Sequence, residues 1–170
     1  VQATPESQFN LFSASKVVVA MLVHLFDDRG LLHLDDAVTE YIPDFAKHGK
    51  LRITLRHILT HRAGIPAVPS GSVDLDVLMD REEMLRRLCD AKPQTRAGRR
   101  LAYHAVTGGF ILAEVLRRVT GKDVRQLVDE ELRAPLGLDT FTYGVPEAKH
   151  DEVATNVFTG PDPNKVYQWF

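Results

Sequence analysis

The run Val17 to Phe26 constrains the fold of this chain most. A helix built from it would be apolar on all sides, so it must lie centrally, covered on most of its faces. The run is too short to cross a bilayer, which takes roughly 20 apolar residues. A buried helix is therefore expected from near Ser13 to about Asp28, with Gly30 as its C-terminal stop.

The start of that helix carries possible chemistry. Phe12-Ser13-Ala14-Ser15-Lys16 places a serine and a lysine three residues apart. At that spacing both side chains share one helical face, one turn apart. A hydroxyl and an amine so placed can be a nucleophile and its base. An N-cap serine beside an unrelated surface lysine would look the same. With five serines and seven lysines in 170 residues, chance supplies such a pair about 0.2 times, so the spacing needs support from elsewhere.

Length and charge narrow the function classes. At 170 residues the chain has one domain's worth of length, with an ordinary 44% apolar and 26% charged content for a soluble globular protein. The net charge is −2, and Arg86-Arg87, Arg99-Arg100 and Arg117-Arg118 each have acids nearby, which argues against a nucleic-acid partner. Cys89 is the sole cysteine, so no internal disulfide can form. It falls in the apolar rhythm of Met84, Leu85 and Leu88 and is expected to be buried. No signal peptide is visible in a chain that begins at Val1. With no initiator Met at Val1 that absence carries little weight, so the compartment is left open, the cytoplasm being favoured over a periplasmic or secreted location that would require a leader removed upstream.

The remaining segments read as helices separated by Pro- and Gly-containing loops. Asp35 is expected to cap a short helix that Pro43 ends, and 47–50 to form a polar turn. Thr54 should cap a helix Leu55 to His61, stopped by Gly64 and Pro66. Residues 67–72 read as loop, and Asp74 to Met79 as a helical turn. Asp80 with Glu83 resembles a capping box that opens a helix to about Asp90. After a loop over 91–100, helices are expected over Thr107 to Val119, ended by Gly121, and over Val124 to Leu132, ended by Pro135 and Gly137. From Asp139 the chain reads as irregular, with at most a short strand over Asn156 to Thr159.

Other candidate sites are weak. His57 and His61 have a metal-ligand spacing, but Ile58 stands where a zinc protease has glutamate, and no third ligand is evident. They read as hydrogen-bonded histidines near the Gly64 turn, so no metal is expected. Gly108-Gly109 forms no phosphate-binding signature, and G-x-S-x-G is absent around Ser13. Nothing selects a glycosidase carboxylate pair. Tyr103, at the entry to a helix, could reach a second helix's N-terminus and take or pass a proton there, but spacing alone favours a core aromatic with a bonded hydroxyl.

The order of segments resembles the serine β-lactamase-related hydrolases, which include class C β-lactamases, D-alanyl-D-alanine carboxypeptidases and family VIII esterases. The matching stretches are Phe9 to Lys16, Gly30 to Asp36, Tyr41-Ile42-Pro43 and Ile53 to His61 ending in Gly64-Ile65-Pro66. Tyr103-His104-Ala105, Val119-Thr120-Gly121 and Pro135-Leu136-Gly137 complete the set. The resemblance covers roughly Thr4 to Leu138. It implies that the chain is the helical region, roughly 10–140, of an α/β β-lactamase/transpeptidase-like domain whose flanking sheet strands lie outside 1–170.

The resemblance further implies that Ser13 is the acylated nucleophile, with Lys16 its partner amine and Tyr103 the second proton-handling group. Either Lys16 acts as a neutral base, or its charge lowers the Tyr103 phenol, which then acts as base. His104 and Ala105, following Tyr103, are expected on the substrate-binding side. The family motif is usually Tyr-x-Asn. Ala105 removes an amide that would meet a peptide or β-lactam side chain, which favours the esterase-like branch. The third motif, Lys-Thr-Gly or His-x-Gly, does not occur up to Phe170. One oxyanion donor normally comes with it, so residues 1–170 alone are expected to be nearly inactive. The expected partner is a small ester or amide substrate, with no cofactor and no integral membrane segment in this chain. A carboxylesterase is the first reading. A β-lactamase or D,D-peptidase, and a noncatalytic scaffold of the same fold, are the alternatives.

Overall fold

The computed structural model describes residues 4, 7–68 and 75–157. A 3-10 turn, Phe12–Ala14, leads into α1 (Ser15–Asp28). Then come α2 (Val38–Tyr41), a 3-10 stretch Pro43–Gly49, α3 (Leu55–Leu59), α4 (Leu75–Met79) and α5 (Arg81–Asp90). The chain continues through α6 (Thr107–Thr120), α7 (Val124–Val128), a π segment Asp129–Arg133, α8 (Ala134–Leu136) and a 3-10 turn Glu147–Glu152. Among the described residues the only β-pairing is two isolated bridges, Gln8 with Val153 and Ala37 with Thr54. No described helix is long and apolar enough to cross a membrane.

The core joins one face of α1 (Val18, Val19, Leu22, Val23, Phe26) to α6 (Ile111, Leu112, Val115, Leu116), with Leu55 and Ile58 from α3 and Met84, Leu88 and Cys89 from α5. Helix α6 packs against α1, α2, α3, α5 and α7 and is the hub. This corrects the expectation that α1 is covered on most sides. Val17 and Met21, four residues apart, are 61% and 47% exposed, so one apolar stripe of α1 is open. The expected buried role of Cys89 is met.

Local chemistry explains the element ends. The Thr54 hydroxyl accepts the His57 N–H at 3.3 Å and starts α3. Asp80 Oδ1 accepts the Glu82 and Glu83 N–H groups at 3.0 Å and starts α5. Glu83 does not complete the capping box; it turns to Arg86 and Arg87. Gly121 adopts φ +74° and closes α6.

Three expectations are corrected. Asp35 does not cap α2, which starts after Ala37; its carboxylate instead takes two hydrogen bonds from Arg56 at 2.7 and 2.8 Å. The polar turn expected over 47–50 is not open to water at Lys50, which is fully buried, its Nζ donating to the Cys89 and Ala91 carbonyls at 2.8 and 2.5 Å. The ammonium thus caps the C-terminus of α5, where a cation is favoured. Finally, the helix begun at Val124 widens into the π segment and continues past Pro135 to Gly137, at φ +63°. Pro135 sits in the opening positions of the last turn, where a missing N–H costs little. Asn156 and Val157 form no strand, and the rest of that expected strand lies outside the described residues.

Gly64 fixes the crossing between the loop after α3 and the loop before α6. At φ +81° it is left-handed, and a Cβ there would lie 2.2 Å from the Thr95 carbonyl oxygen. Gly64→Ala is expected to destabilise the fold by about 2 kcal/mol or more, combining left-handed strain with a backbone clash. Gly49→Ala, at φ +80° with nothing within 4 Å, isolates the strain. Equal denaturation midpoints for the two variants would contradict the close approach.

Candidate active site

The Ser13 turn is built by its neighbours. Phe12 adopts φ +47°, and its N–H donates to Asn10 Oδ1 at 2.8 Å. Ala14 N–H donates to the Leu11 carbonyl at 3.0 Å. Ser13 therefore sits in the tight 3-10 turn and not yet in α1, with its backbone N–H at the positive end of the helix dipole. Phe12 itself is 65% exposed, so its left-handed backbone is not bought by core packing. A non-glycine residue in this region is a recognised form of local strain, which gathers at functional sites.

Lys16 lies on the first turn of α1, and its Nζ donates to Ser13 Oγ at 3.3 Å. Tyr103 arrives from the segment that precedes α6 and is half exposed. Its ring centroid is 5.3 Å from Lys16 Nζ. Hydrogen bonding with the Ser13 hydroxyl first, and then with Lys16 and its charge, holds the Tyr103 phenol below its ordinary value of 10. The fold thus brings together three side chains from two segments about 90 positions apart.

The two residues after Tyr103 diverge. Ala105 is exposed beside it. His104, expected on the substrate side, is fully buried. Its Nδ1–H donates to the Ala102 carbonyl at 2.6 Å, and its Nε2 accepts the Ile65 N–H at 3.2 Å. Both ring nitrogens are committed to backbone, and burial lowers its pKa, so the expectation for His104 is corrected to a structural tie. Tyr103 and Ala105 face out because this buried ring faces in.

Among the described residues no group of three or more His, Cys, Asp or Glu side chains is placed to hold a metal ion, and His57 and His61 are engaged otherwise. His57 Nδ1 accepts the Thr54 N–H at 3.1 Å. His61 Nδ1 accepts the His104 N–H at 3.2 Å. The His61 ring meets Tyr103 edge to face, with centroids 4.9 Å apart, and stacks on His104 at 5.7 Å. Burial and the nearby Lys16 charge lower its pKa. Sequence reasoning placed His61 near the Gly64 turn but not against Tyr103. Nothing local signals a contact across 42 residues.

The face that carries Ser13 and Tyr103 is exposed. A cavity of about 820 Å³ lies alongside it, lined by Phe9, Leu11, Phe12, Ser15, Val18 and Phe141 among others. Ser13, Lys16 and Tyr103 are not in its lining.

A family model described as Beta-lactamase matches residues 1–168. The esterase/beta-lactamase LipL of Mycobacterium tuberculosis (strain ATCC 25618 / H37Rv) is 40% identical over 138 residues, 81% of this chain and 32% of its own length. The D-alanyl-D-alanine-carboxypeptidase/endopeptidase AmpH of Escherichia coli (strain K12) is 30% identical over 145 residues, 81% of this chain and 37% of its own. The chain therefore spans about a third of the length of these curated relatives. Among solved structures, a penicillin-binding protein homologue from Caulobacter crescentus superposes with a TM-score of 0.84 at 34% identity, over 91% of this chain and 41% of that one. A family VIII carboxylesterase gives 0.82 at 34% identity, over 88% and 41%.

Proposed function

The chain belongs to the Beta-lactamase family, and from that premise we propose that Ser13, Lys16 and Tyr103 are the acylation centre of an ester hydrolase. The family is one of serine hydrolases that act on small ester or amide substrates, and its solved relatives share the β-lactamase/transpeptidase-like fold. The observation that carries the proposal is the Lys16 Nζ to Ser13 Oγ hydrogen bond of 3.3 Å with Tyr103 beside it.

The lowered Tyr103 phenol supports the route in which the phenolate is the base. Ser13 Oγ attacks the ester carbonyl as its proton passes to the Tyr103 oxygen. The Ser13 backbone N–H stabilises the oxyanion. The same proton returns to the departing alkoxide, leaving an acyl-serine. Water, deprotonated by the same phenolate, then attacks the acyl carbonyl, and the proton returns to Ser13 Oγ as the acid leaves. The Lys16 ammonium lowers the phenol and orients the hydroxyl.

Ala105 supports an ester over an amide. Ala105, two residues after Tyr103, is exposed, and its methyl group offers no hydrogen bond to a substrate amide. The likeness to a family VIII carboxylesterase favours the same substrate class. The likeness to AmpH favours a second reading, a D,D-carboxypeptidase. One experiment separates them. The full-length protein carrying this chain is treated with a fluorophosphonate probe and with a fluorescent penicillin, and assayed on short p-nitrophenyl esters. Probe labelling mapped to Ser13 with ester turnover is expected. Penicillin labelling without ester turnover would favour the peptidase, and absence of any label on Ser13 would reject the acylation centre.

A further inference from the structure

We propose that His61 is a positioning residue for Tyr103, a role that rests on the reading of Tyr103 as the proton-handling group. His61 follows α3 at φ +57°, a left-handed conformation that is uncommon for a residue with a Cβ and is kept only where the surroundings over-determine it. Here the surroundings are the Tyr103 segment. The His61 carbonyl accepts the Ala102 N–H at 2.9 Å. Its Nδ1 accepts the His104 N–H at 3.2 Å. One residue therefore holds the N–H immediately before Tyr103 and the N–H immediately after it.

The ring completes the arrangement. It meets the Tyr103 ring edge to face, with centroids 4.9 Å apart and planes at 72°, a favoured aromatic geometry. Behind it lies the His104 ring, 18° from parallel, itself tied to the Ala102 carbonyl and the Ile65 N–H. Tyr103 is half exposed and has little burial of its own to fix its rotamer. Its position relative to Ser13 and Lys16 is set mainly by this clamp. An acceptor at Nδ1 is required, so the neutral imidazole is the working form. A mislaid phenol leaves substrate binding intact but misaligns the proton transfer, a cost that shorter-range contacts do not recover.

The left-handed turn also indicates which substitutes can serve. Asparagine tolerates that conformation and places a carbonyl oxygen near the Nδ1 position. Phenylalanine keeps the ring contact but loses the acceptor.

The test is steady-state kinetics on the full-length protein with a p-nitrophenyl ester. His61→Phe is expected to lower kcat by roughly 10²-fold with KM within about threefold, and His61→Asn to recover at least tenfold of that loss. In a Tyr103→Phe background, His61→Phe should cost no more than about twofold further, because residues acting through one group are not additive. A merely structural role would lower the melting midpoint of both His61 variants and cost the same factor with or without the Tyr103 hydroxyl. Either that additivity or undiminished kcat in His61→Phe would overturn the proposal. If His61→Phe does not fold, His61→Asn with parental kcat and His61→Ser with a reduced one give the same decision. If Tyr103→Phe alone is fully active, the reading of Tyr103 fails and the clamp has no catalytic role. If Tyr103→Phe is inactive while His61→Phe is unimpaired, only the clamp fails.

Discussion

Ester turnover by the full-length protein is expected to fall by about 10⁴-fold or more when Ser13 is replaced by alanine. The size follows from what the hydroxyl does. Without it no acyl-enzyme forms, and what remains is whatever the oxyanion donors and substrate binding supply to direct attack by water. In the proposed mechanism Lys16 and Tyr103 act on the Ser13 hydroxyl or on the hydrolysis of its acyl ester, so Lys16→Ala or Tyr103→Phe added to Ser13→Ala should cost almost nothing more. Their single effects should nevertheless be large. The pH profile supplies a second check. The base is active when deprotonated, so kcat/KM should rise with pH through the Tyr103 pKa. That limb should lie below the ordinary phenol value of 10, because Ser13 and Lys16 lower it. Tyr103→Phe should remove the limb. Ser13→Ala activity within tenfold of the parent would place the nucleophile elsewhere.

What could be read from the residues was mostly local. The Thr54 cap, the Asp80 start and the Gly121 stop follow from side-chain and backbone preferences that operate within four residues. The Ser13–Lys16 pair is equally local, since one helical turn fixes it. The expectations that needed revision depend on distant partners. Asp35 looked like a cap until Arg56, 21 residues on, claimed it. Lys50 read only as part of a polar turn because its two carbonyl acceptors come from the end of α5, some 40 residues away. His104 stood beside Tyr103 in the sequence, but Ile65 and Ala102 draw its ring inward. Tyr103 is a candidate from its place at a helix entry, and only the family resemblance gives it a partner in Ser13. Its proximity to Ser13 comes from the fold, with α1 and α6 packed side by side so that the segment ahead of α6 reaches the Ser13 turn.

The same distance-dependence gives the largest expected stability effect. Glu114, on α6, has its side chain only 2% exposed and faces three arginines. Arg117 donates to it at 2.8 and 2.9 Å, Arg118 at 2.7 Å and Arg81 of α5 at 3.1 Å. Arg118 also donates to the Tyr41 carbonyl at 3.1 Å, so this one carboxylate ties α6 to α5 and to the end of α2. Hydrogen bonds from Arg117, and to a lesser extent from Arg118, overcome the burial penalty and hold its pKa at about 2, against an ordinary 4.5. Removing one partner of a buried pair typically costs 3–5 kcal/mol. Here the three guanidiniums are 37–51% exposed and can turn to water, which lowers the expectation for Glu114→Ala to about 2–4 kcal/mol. Because the folded pKa is depressed, the stabilisation is fully present above about 4.5 and is lost as pH falls through about 2. The gap between the parent and Glu114→Gln should therefore narrow on acidification in that window. Glu83→Gln is the control. Its carboxylate bridges only Arg86 and Arg87 on its own helix and is more open to water, so its effect should be much smaller. Urea midpoints at neutral pH and near pH 3 test both statements. Equal losses for Glu83→Gln and Glu114→Gln would show that the Glu114 cluster acts as surface charge and not as the joint between three helices.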